Sequence, residues 1–307
     1  MITVSAPGKL MLCGEHAAVY GYPCLVTAVS QRLMVSIKKT EDEKIVIDAP
    51  QVKNTQFVQS ALLRAGEALG IRHTGLSIHT SSQFSSTIGF GSSSAVAVAT
   101  VFALAQLFHV PFEKKQIFDL AYQSVLDVQK TGSGFDVAAA VYGKTIYYEQ
   151  FGGIIEPLSL DGAVCIIGFS GEKADTVSVV EDVRKKKEKE PEKVERIFTA
   201  ITKIVLDAKK EIQEKDWERL GVLMNFNQEY LRDLGVSTEK LEAMIFAAKK
   251  AGAYGAKLSG AGGGDCMIAL VPEDRRLEVS DAITHAGGHV IDATPNAEGV
   301  RIENTTI

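Results

Sequence analysis

Four short stretches of this chain carry the residue types and spacings that could do chemistry. In STIGFGSSSAVAVA (86–99), Gly89 and Gly91 leave the backbone free to curl closely, and Ser92, Ser93 and Ser94 open a long apolar run. A helix that begins there offers unpaired N–H groups and a positive dipole end, so loop and helix form an anion cradle. Serine hydroxyls can also reach a Mg²⁺ ion carried on phosphates. The plainer alternative is an N-cap ahead of a packing helix. Neither a P-loop lysine nor a protein-kinase pattern accompanies the loop. In KTGSGFDVAAAVYG (130–143), Asp136 follows Gly132 and Gly134 and precedes an alanine run that should be buried. An acid at such a junction is costly to bury unless paired, which makes it a candidate general base; a helix N-cap is the alternative.

SGAGGGDC (259–266) places four glycines in eight residues, which suits a backbone that approaches a ligand closely, or a tight connection into a strand. In SAPGKLMLCGEHAAVYG (5–21), Lys9 follows a Pro-Gly turn and precedes an apolar strand, so its ammonium can project into a cleft; a surface lysine is the alternative. Glu15 and His16 come just after Gly14, at a strand end.

These loops need elements to hold them. Alternation and β-branched content predict strands at 2–5, 31–38, 44–48 and 75–80. Apolar residues at Phe57, Val58, Ala61, Leu62, Ala65 and Leu69 predict a helix over 55–69, stopped by Gly70. Ser92 to His109 is apolar on every side and reads as a buried helix. A further helix covers 113–129, and strands follow at 144–150 and 163–169. The mixed-charge stretch 173–196 reads as a solvated helical hairpin, with Pro191 starting its second helix. Helices over 194–212, 216–233 and 237–251, a strand at 267–271, a helix at 276–286 and strands within 288–303 complete the chain. A soft boundary falls near residue 160.

Composition narrows the class. The chain has 307 residues, and 33 Lys+Arg against 38 Asp+Glu give 33 − 38 = −5. At roughly 100–200 residues per domain, two domains or fused lobes are expected. Mild acidity without a basic block argues against nucleic acid. The apolar stretch Leu10 to Cys13 is broken by Gly14, Glu15 and His16, and no signal-peptide pattern opens the chain, so neither a membrane segment nor export is expected. Cys13, Cys24, Cys165 and Cys266 lack metal-ligand spacing and suit buried thiols in a reducing cytoplasm.

The loops, in this order and spacing, resemble those of the GHMP small-molecule kinases. SAPGKLMLCGEHAAVYG, LMNFNQEYLRDLGVS (223–237) and AYGAKLSGAGGG (253–264) are similar to the mevalonate kinase branch, in its short archaeal form. The resemblance implies an α+β fold of two lobes: an N-terminal β-α lobe over 1–160 and a ferredoxin-like C-terminal lobe over 161–307. It implies ATP and Mg²⁺ as cofactors. The phosphates would lie on Thr87, Gly89, Gly91, Ser92, Ser93 and Ser94, with Ser93 as the metal ligand. Asp136 would draw the proton from the substrate hydroxyl, and Lys9, within hydrogen-bond reach, would keep Asp136 ionised and stabilise the moving phosphoryl group. Glu15, His16, Thr176, Ser259, Gly260 and Ala261 would line the acceptor site. Asn54 is the marker for the adenine pocket. Relatives are often dimers, which admits a homodimer here.

Two stretches depart from that branch. GSGFDVAAAVYG (132–143) and GGGDC with Asp265 look like phosphomevalonate kinase. The position eleven residues before Asp136, where mevalonate kinases carry a Mg²⁺-binding glutamate, is Val125, with Asp127 two residues on. Three readings are therefore carried forward: phosphorylation of mevalonate, phosphorylation of 5-phosphomevalonate, and a non-catalytic ligand sensor. A phosphomonoester acceptor would need extra cations, for which Lys130 and Arg184 are candidates.

Overall fold

The structure, a computed structural model, describes residues 1–51, 54–71 and 75–303. Two long strands, β1 (Ile2–Cys13) and β2 (Cys24–Lys39), run antiparallel and form the spine of the first lobe. With β3 (Ile45–Asp48), β4 (Leu76–Ser82), β5 (Thr145–Glu149), β6 (Ile154–Leu158) and β11 (Arg301–Ile302) they make a seven-stranded sheet. Its path is β11-β1-β2-β4-β3, while β5 pairs with the first half of β2 and carries β6. Both main strands are apolar enough to be buried along most of their length, which lets helices cover the sheet.

Those helices are α1 (Gln56–Leu69), α2 (Ser92–Leu107), α3 (Lys114–Gln129) and α4 (Phe135–Tyr142). Helix α2 is the central one: ten of its sixteen residues are buried, mostly alanine, valine and leucine. Small side chains let it touch β1, β2, α1, α3 and α4 at once.

The second lobe is a four-stranded antiparallel sheet of β7 (Val164–Phe169), β8 (Gly255–Ser259), β9 (Cys266–Val271) and β10 (His289–Ile291), in the order β10-β7-β9-β8. Helices α5 (Thr176–Lys189), α6 (Pro191–Glu214), α7 (Trp217–Leu234) and α8 (Glu239–Lys250) lie between β7 and β8 in the chain, and α9 (Arg276–His285) between β9 and β10. This is the ferredoxin-like order, with the first crossover enlarged to four helices. The charged stretch forms the α5–α6 hairpin, with Pro191 opening α6 as expected. No helix among the described residues is long and apolar enough to cross a membrane.

Two expectations need correction. Pro7-Gly8 is not a turn: β1 runs through it, with a register irregularity between Pro7 and Lys9 that absorbs the proline. The lobe expected over 161–307 does not keep its own end, because β11 pairs with β1 at Val4 and Ser5. Arg32 pins this return, donating to Gly299 O at 2.7 Å, Glu298 O at 2.8 Å and Ser5 Oγ at 2.6 Å. The last four residues of that span lie outside the described residues.

Candidate active site

The 86–94 loop is held by β1. Lys9 donates its backbone N–H to Phe90 O at 3.0 Å and its ammonium to Gly89 O at 2.8 Å. Gly8 permits the approach, since a Cβ there would meet Phe90 Cβ at 3.1 Å. Gly89 and Gly91 both have left-handed backbones, φ 75° and 74°, that favour glycine. Gly91 is the N-cap of α2, so the first amides of a sixteen-residue helix open at the loop.

Asp136 meets this loop from α4. A Cβ on Gly91 would lie 3.3 Å from Lys9 Cε and 3.6 Å from Asp136 Cβ, so lysine, acid and loop converge on one glycine. Asp136 is the second residue of α4, whose N-cap is Gly134, so it is not itself the cap. Its carboxylate accepts Ser94 Oγ at 2.7 Å and the Val137 amide at 3.0 Å. The expected Lys9–Asp136 ion pair is not formed: among the described residues none lies within 4.0 Å, and the ammonium takes Gly89 O and sits 5.7 Å over the Phe135 ring. Ser94, expected on the phosphates, is fully buried and serves Asp136 instead. Ser92 and Ser93 remain half-buried at the helix start, with Ser93 Oγ accepting weakly from Gln129 Nε2 at 3.4 Å. Thr87 is exposed and bonds Ser85 Oγ at 2.7 Å.

On the acceptor side the structure sorts the expected residues. Glu15 does not line an open pocket. It forms an ion pair with Lys257, both side chains fully buried, and Lys257 also donates to Leu258 O. Burial pushes the Glu15 carboxyl above its usual range, opposed by Lys257 and by the Gly260 backbone. Ser259 is likewise committed: its hydroxyl accepts the Met11 amide at 2.9 Å and donates to Met11 O at 3.0 Å, joining β8 to β1. His16 does face the glycine loop, with Nε2 2.8 Å from Ala261 O. A carbonyl only accepts, so Nε2 carries the proton. Burial pulls the His16 pKa down to about 4, which keeps the ring neutral. Gly260 has φ 101° and open space where a Cβ would project. Thr176 is the exposed first residue of α5; the cap is Asp175, which accepts from Ser178 N at 3.3 Å.

Lys257 is the functional candidate that sequence reading missed. Its signal was present in AYGAKLSGAGGG: a lysine within an apolar strand, two residues before a glycine loop.

The remaining candidates are engaged elsewhere. Asp127 receives Arg64 at 2.7 and 2.8 Å and Ser60 Oγ at 2.8 Å, and Val125 is buried, so α3 offers no free carboxylate at either position. Lys130 bonds Asp127 O at 2.7 Å, and Arg184 is taken by Glu181 and Glu188. Asn54 accepts the Gln56 amide at 2.8 Å, at the start of α1. Among the described residues there is no group of three or more His, Cys, Asp or Glu able to hold a metal.

A glycine loop at a helix N-terminus, beside an oriented carboxylate and a lysine, is an arrangement that could serve phosphoryl transfer. Residues 56–144 match the GHMP kinases N terminal domain and residues 208–289 the GHMP kinases C terminal. The mevalonate kinase of Pyrococcus furiosus is 36% identical over 331 aligned residues, covering 98% of both chains. The chain belongs to the GHMP kinase family. This GHMP kinase is also 33% identical to the mevalonate kinase of Archaeoglobus fulgidus, over 97% of this chain and 99% of that one. L. major mevalonate kinase, solved in complex with R-mevalonate, superposes with a TM-score of 0.82 at 26% identity over 96% of both chains. A Streptococcus pneumoniae phosphomevalonate kinase shares the fold, with a TM-score of 0.86 at 19% identity over 96% of this chain and 100% of that one. Residues 2–39 match a galactokinase galactose-binding signature. As a GHMP kinase, the chain is an ATP-dependent kinase.

Proposed function

We propose that this GHMP kinase transfers the γ-phosphoryl group of ATP to the primary hydroxyl of mevalonate. The observation that carries the reading is near-full-length similarity to archaeal mevalonate kinases, on a chain whose candidate cations for a phosphorylated acceptor are engaged. An acceptor such as 5-phosphomevalonate brings about two more negative charges. Lys130 closes the end of its own helix, and Arg184 sits in a surface network.

In this reading the α2 N-terminus and the 86–94 loop receive the phosphates through Thr87, Gly89, Gly91, Ser92 and Ser93. Asp136 takes the hydroxyl proton, with Ser94 fixing the carboxylate by its 2.7 Å bond. Lys9, anchored on Gly89 O, places a cation beside the transferred group. His16 keeps a neutral ring whose Nδ1, without a hydrogen-bond partner among the described residues, accepts from the substrate, and Gly260 and Ala261 bring backbone to it. Glu15 and Ser259 set the position of that loop. Thr176 stands at the edge of the site, at the head of α5.

The donor set fits Mg²⁺. Ser93 offers a half-buried hydroxyl at the second residue of α2, and the absence of a three-ligand cluster among the described residues suits a cation carried mainly by phosphate oxygens. Bound there, Mg²⁺ would neutralise phosphate charge. The four free thiols, three of them buried, suit a reducing cytoplasm.

The test is ADP release from ATP with mevalonate and with 5-phosphomevalonate in parallel, the products identified by phosphorus NMR. Turnover of mevalonate supports the proposal. Turnover of 5-phosphomevalonate alone refutes it, and no release with either would indicate a sensor or another acceptor.

A further inference from the structure

Asp265 is a carboxylate that neither the fold nor the proposed chemistry explains. It follows three glycines at the end of the 259–264 loop, yet it adopts a left-handed backbone itself, φ 58°, which costs a non-glycine residue on the order of 1 kcal/mol or more. Its amide donates to Glu172 O at 2.8 Å, and its carbonyl accepts Ser170 N at 2.9 Å, so the conformation is held from outside. The side chain points at the phosphate loop. A Cβ on Gly89 would come within 2.7 Å of Asp265 Oδ2, so only glycine lets the carboxylate this close.

The carboxylate is poorly compensated. Asp265 is 7% exposed, and among the described residues its carboxylate accepts one hydrogen bond, from the Ala174 amide to Oδ1 at 3.0 Å. Among the described residues no cation lies within 4.0 Å of it. Burial pushes its pKa up, against the opposing pull of Lys9 and Lys173. A buried acid with a single amide donor is destabilising, and such a group persists where a cation arrives.

The charges around the loop say which cation. Asp265 lies against Gly89 on one flank and Asp136 against Gly91 on the other, with Lys9 bonded to Gly89 O between them. Two carboxylates and one buried lysine leave this three-residue stretch net negative, and Lys173 is exposed to solvent. A polyphosphate cannot settle beside two carboxylates without further positive charge. The positive end of α2 supplies only about half a charge. Helix α3 has no free carboxylate near Asp136 to bind a metal, since Val125 is apolar and Asp127 is held by Arg64 and Ser60. Asp136 is oriented by Ser94. The acid with coordination to spare is Asp265.

We propose that Asp265 is a ligand of the divalent cation that the nucleotide brings to the phosphate loop. Carboxylate oxygen is the hard donor that Mg²⁺ prefers, and one or two carboxylates plus substrate phosphates is its usual set. The inference rests on the reading that ATP phosphates lie on 86–94.

The test is calorimetric titration of the full chain with ATP in chelator and with ATP plus Mg²⁺, supported by Mn²⁺ electron paramagnetic resonance on the protein–ATP complex. Asp265→Asn keeps the acceptor for Ala174 N and tolerates the left-handed backbone. Metal-free ATP should bind this variant at least as tightly as wild type, while the tightening produced by Mg²⁺ falls by roughly tenfold or more. Retention of the full tightening would overturn the inference. An equal loss with and without metal would also overturn it, by showing that Asp265 only shapes the loop. Ser92→Asp separates the underlying reading: an acid in the first turn suits the helix but should repel phosphates and weaken both forms of ATP. If that variant binds both unchanged, the placement of ATP is wrong and the Asp265 inference falls with it.

Discussion

Replacing Lys257 by methionine tests whether the two lobes are locked by charge. The Lys257–Glu15 pair has no solvent exposure on either side chain, and among the described residues the other side chain that donates to Glu15 is Asn227, through Nδ2 at a weak 3.5 Å. Methionine keeps the bulk and removes the cation, so Glu15 is left buried without compensation. Breaking such a pair costs about 3–5 kcal/mol, a large share of a typical stability of 5–15 kcal/mol. The double variant Glu15→Gln, Lys257→Met replaces both charges with neutral groups and should recover most of the loss, because paired burial of charge itself carries a desolvation penalty. Urea unfolding of wild type, both single variants and the double variant yields the coupling as a double-mutant cycle. A coupling of about 2 kcal/mol or more is expected. A Lys257→Met protein within about 1 kcal/mol of wild type, or a double variant as unstable as the sum of the singles, would refute the reasoning. Glu15 also adjoins the Gly260 backbone, so the single variants should raise the KM for the acceptor more than that for ATP.

Asp136→Asn should fold normally and lose on the order of 10²–10⁴ in kcat, and near-normal turnover would remove Asp136 from the general-base role. Ser94→Ala deletes the hydroxyl that orients this carboxylate, so kcat should fall by roughly tenfold with little change in either KM, measured by coupled assay. His16 is buried neutral with a pKa of about 4, below its ordinary 6.5, so the native state binds fewer protons than the unfolded chain between those values. The stability it contributes is full above pH 6.5, declines as pH falls toward 4, and amounts to about 3 kcal/mol. His16→Gln should therefore lose less stability than wild type between pH 6.5 and 4.5 in urea titrations; equal slopes would show that His16 is not held neutral, since Glu15 acts alike in both proteins.

Local pattern and long-range pairing explain what could be read before the structure. The helices over 55–69, 92–109 and 113–129 follow from periodicity and apolar length, and the structure places them at Gln56–Leu69, Ser92–Leu107 and Lys114–Gln129. The converging loops were visible because glycine, serine and acid recur at short spacing. What was not visible depended on partners far away in the chain. Pro7-Gly8 looked like a turn because a proline and a glycine usually end a strand; only Phe90 packing against Gly8 and the bulge beside it keep β1 continuous. Strand β11 is two residues long and gains its place from Val4 and Ser5, nearly three hundred residues earlier. The resemblance places Glu15 at the acceptor site, but its neutralising partner Lys257 stands 242 positions on, where no local pattern shows it. The same argument applies to Asp265, whose neighbours in sequence are glycines that suggest a backbone role. Its chemistry emerges only when Gly89, from the other lobe, is found against the carboxylate. In this fold each glycine loop can be read alone, but the charges that decide the chemistry are balanced across lobes, and a single loop holds only half of each balance.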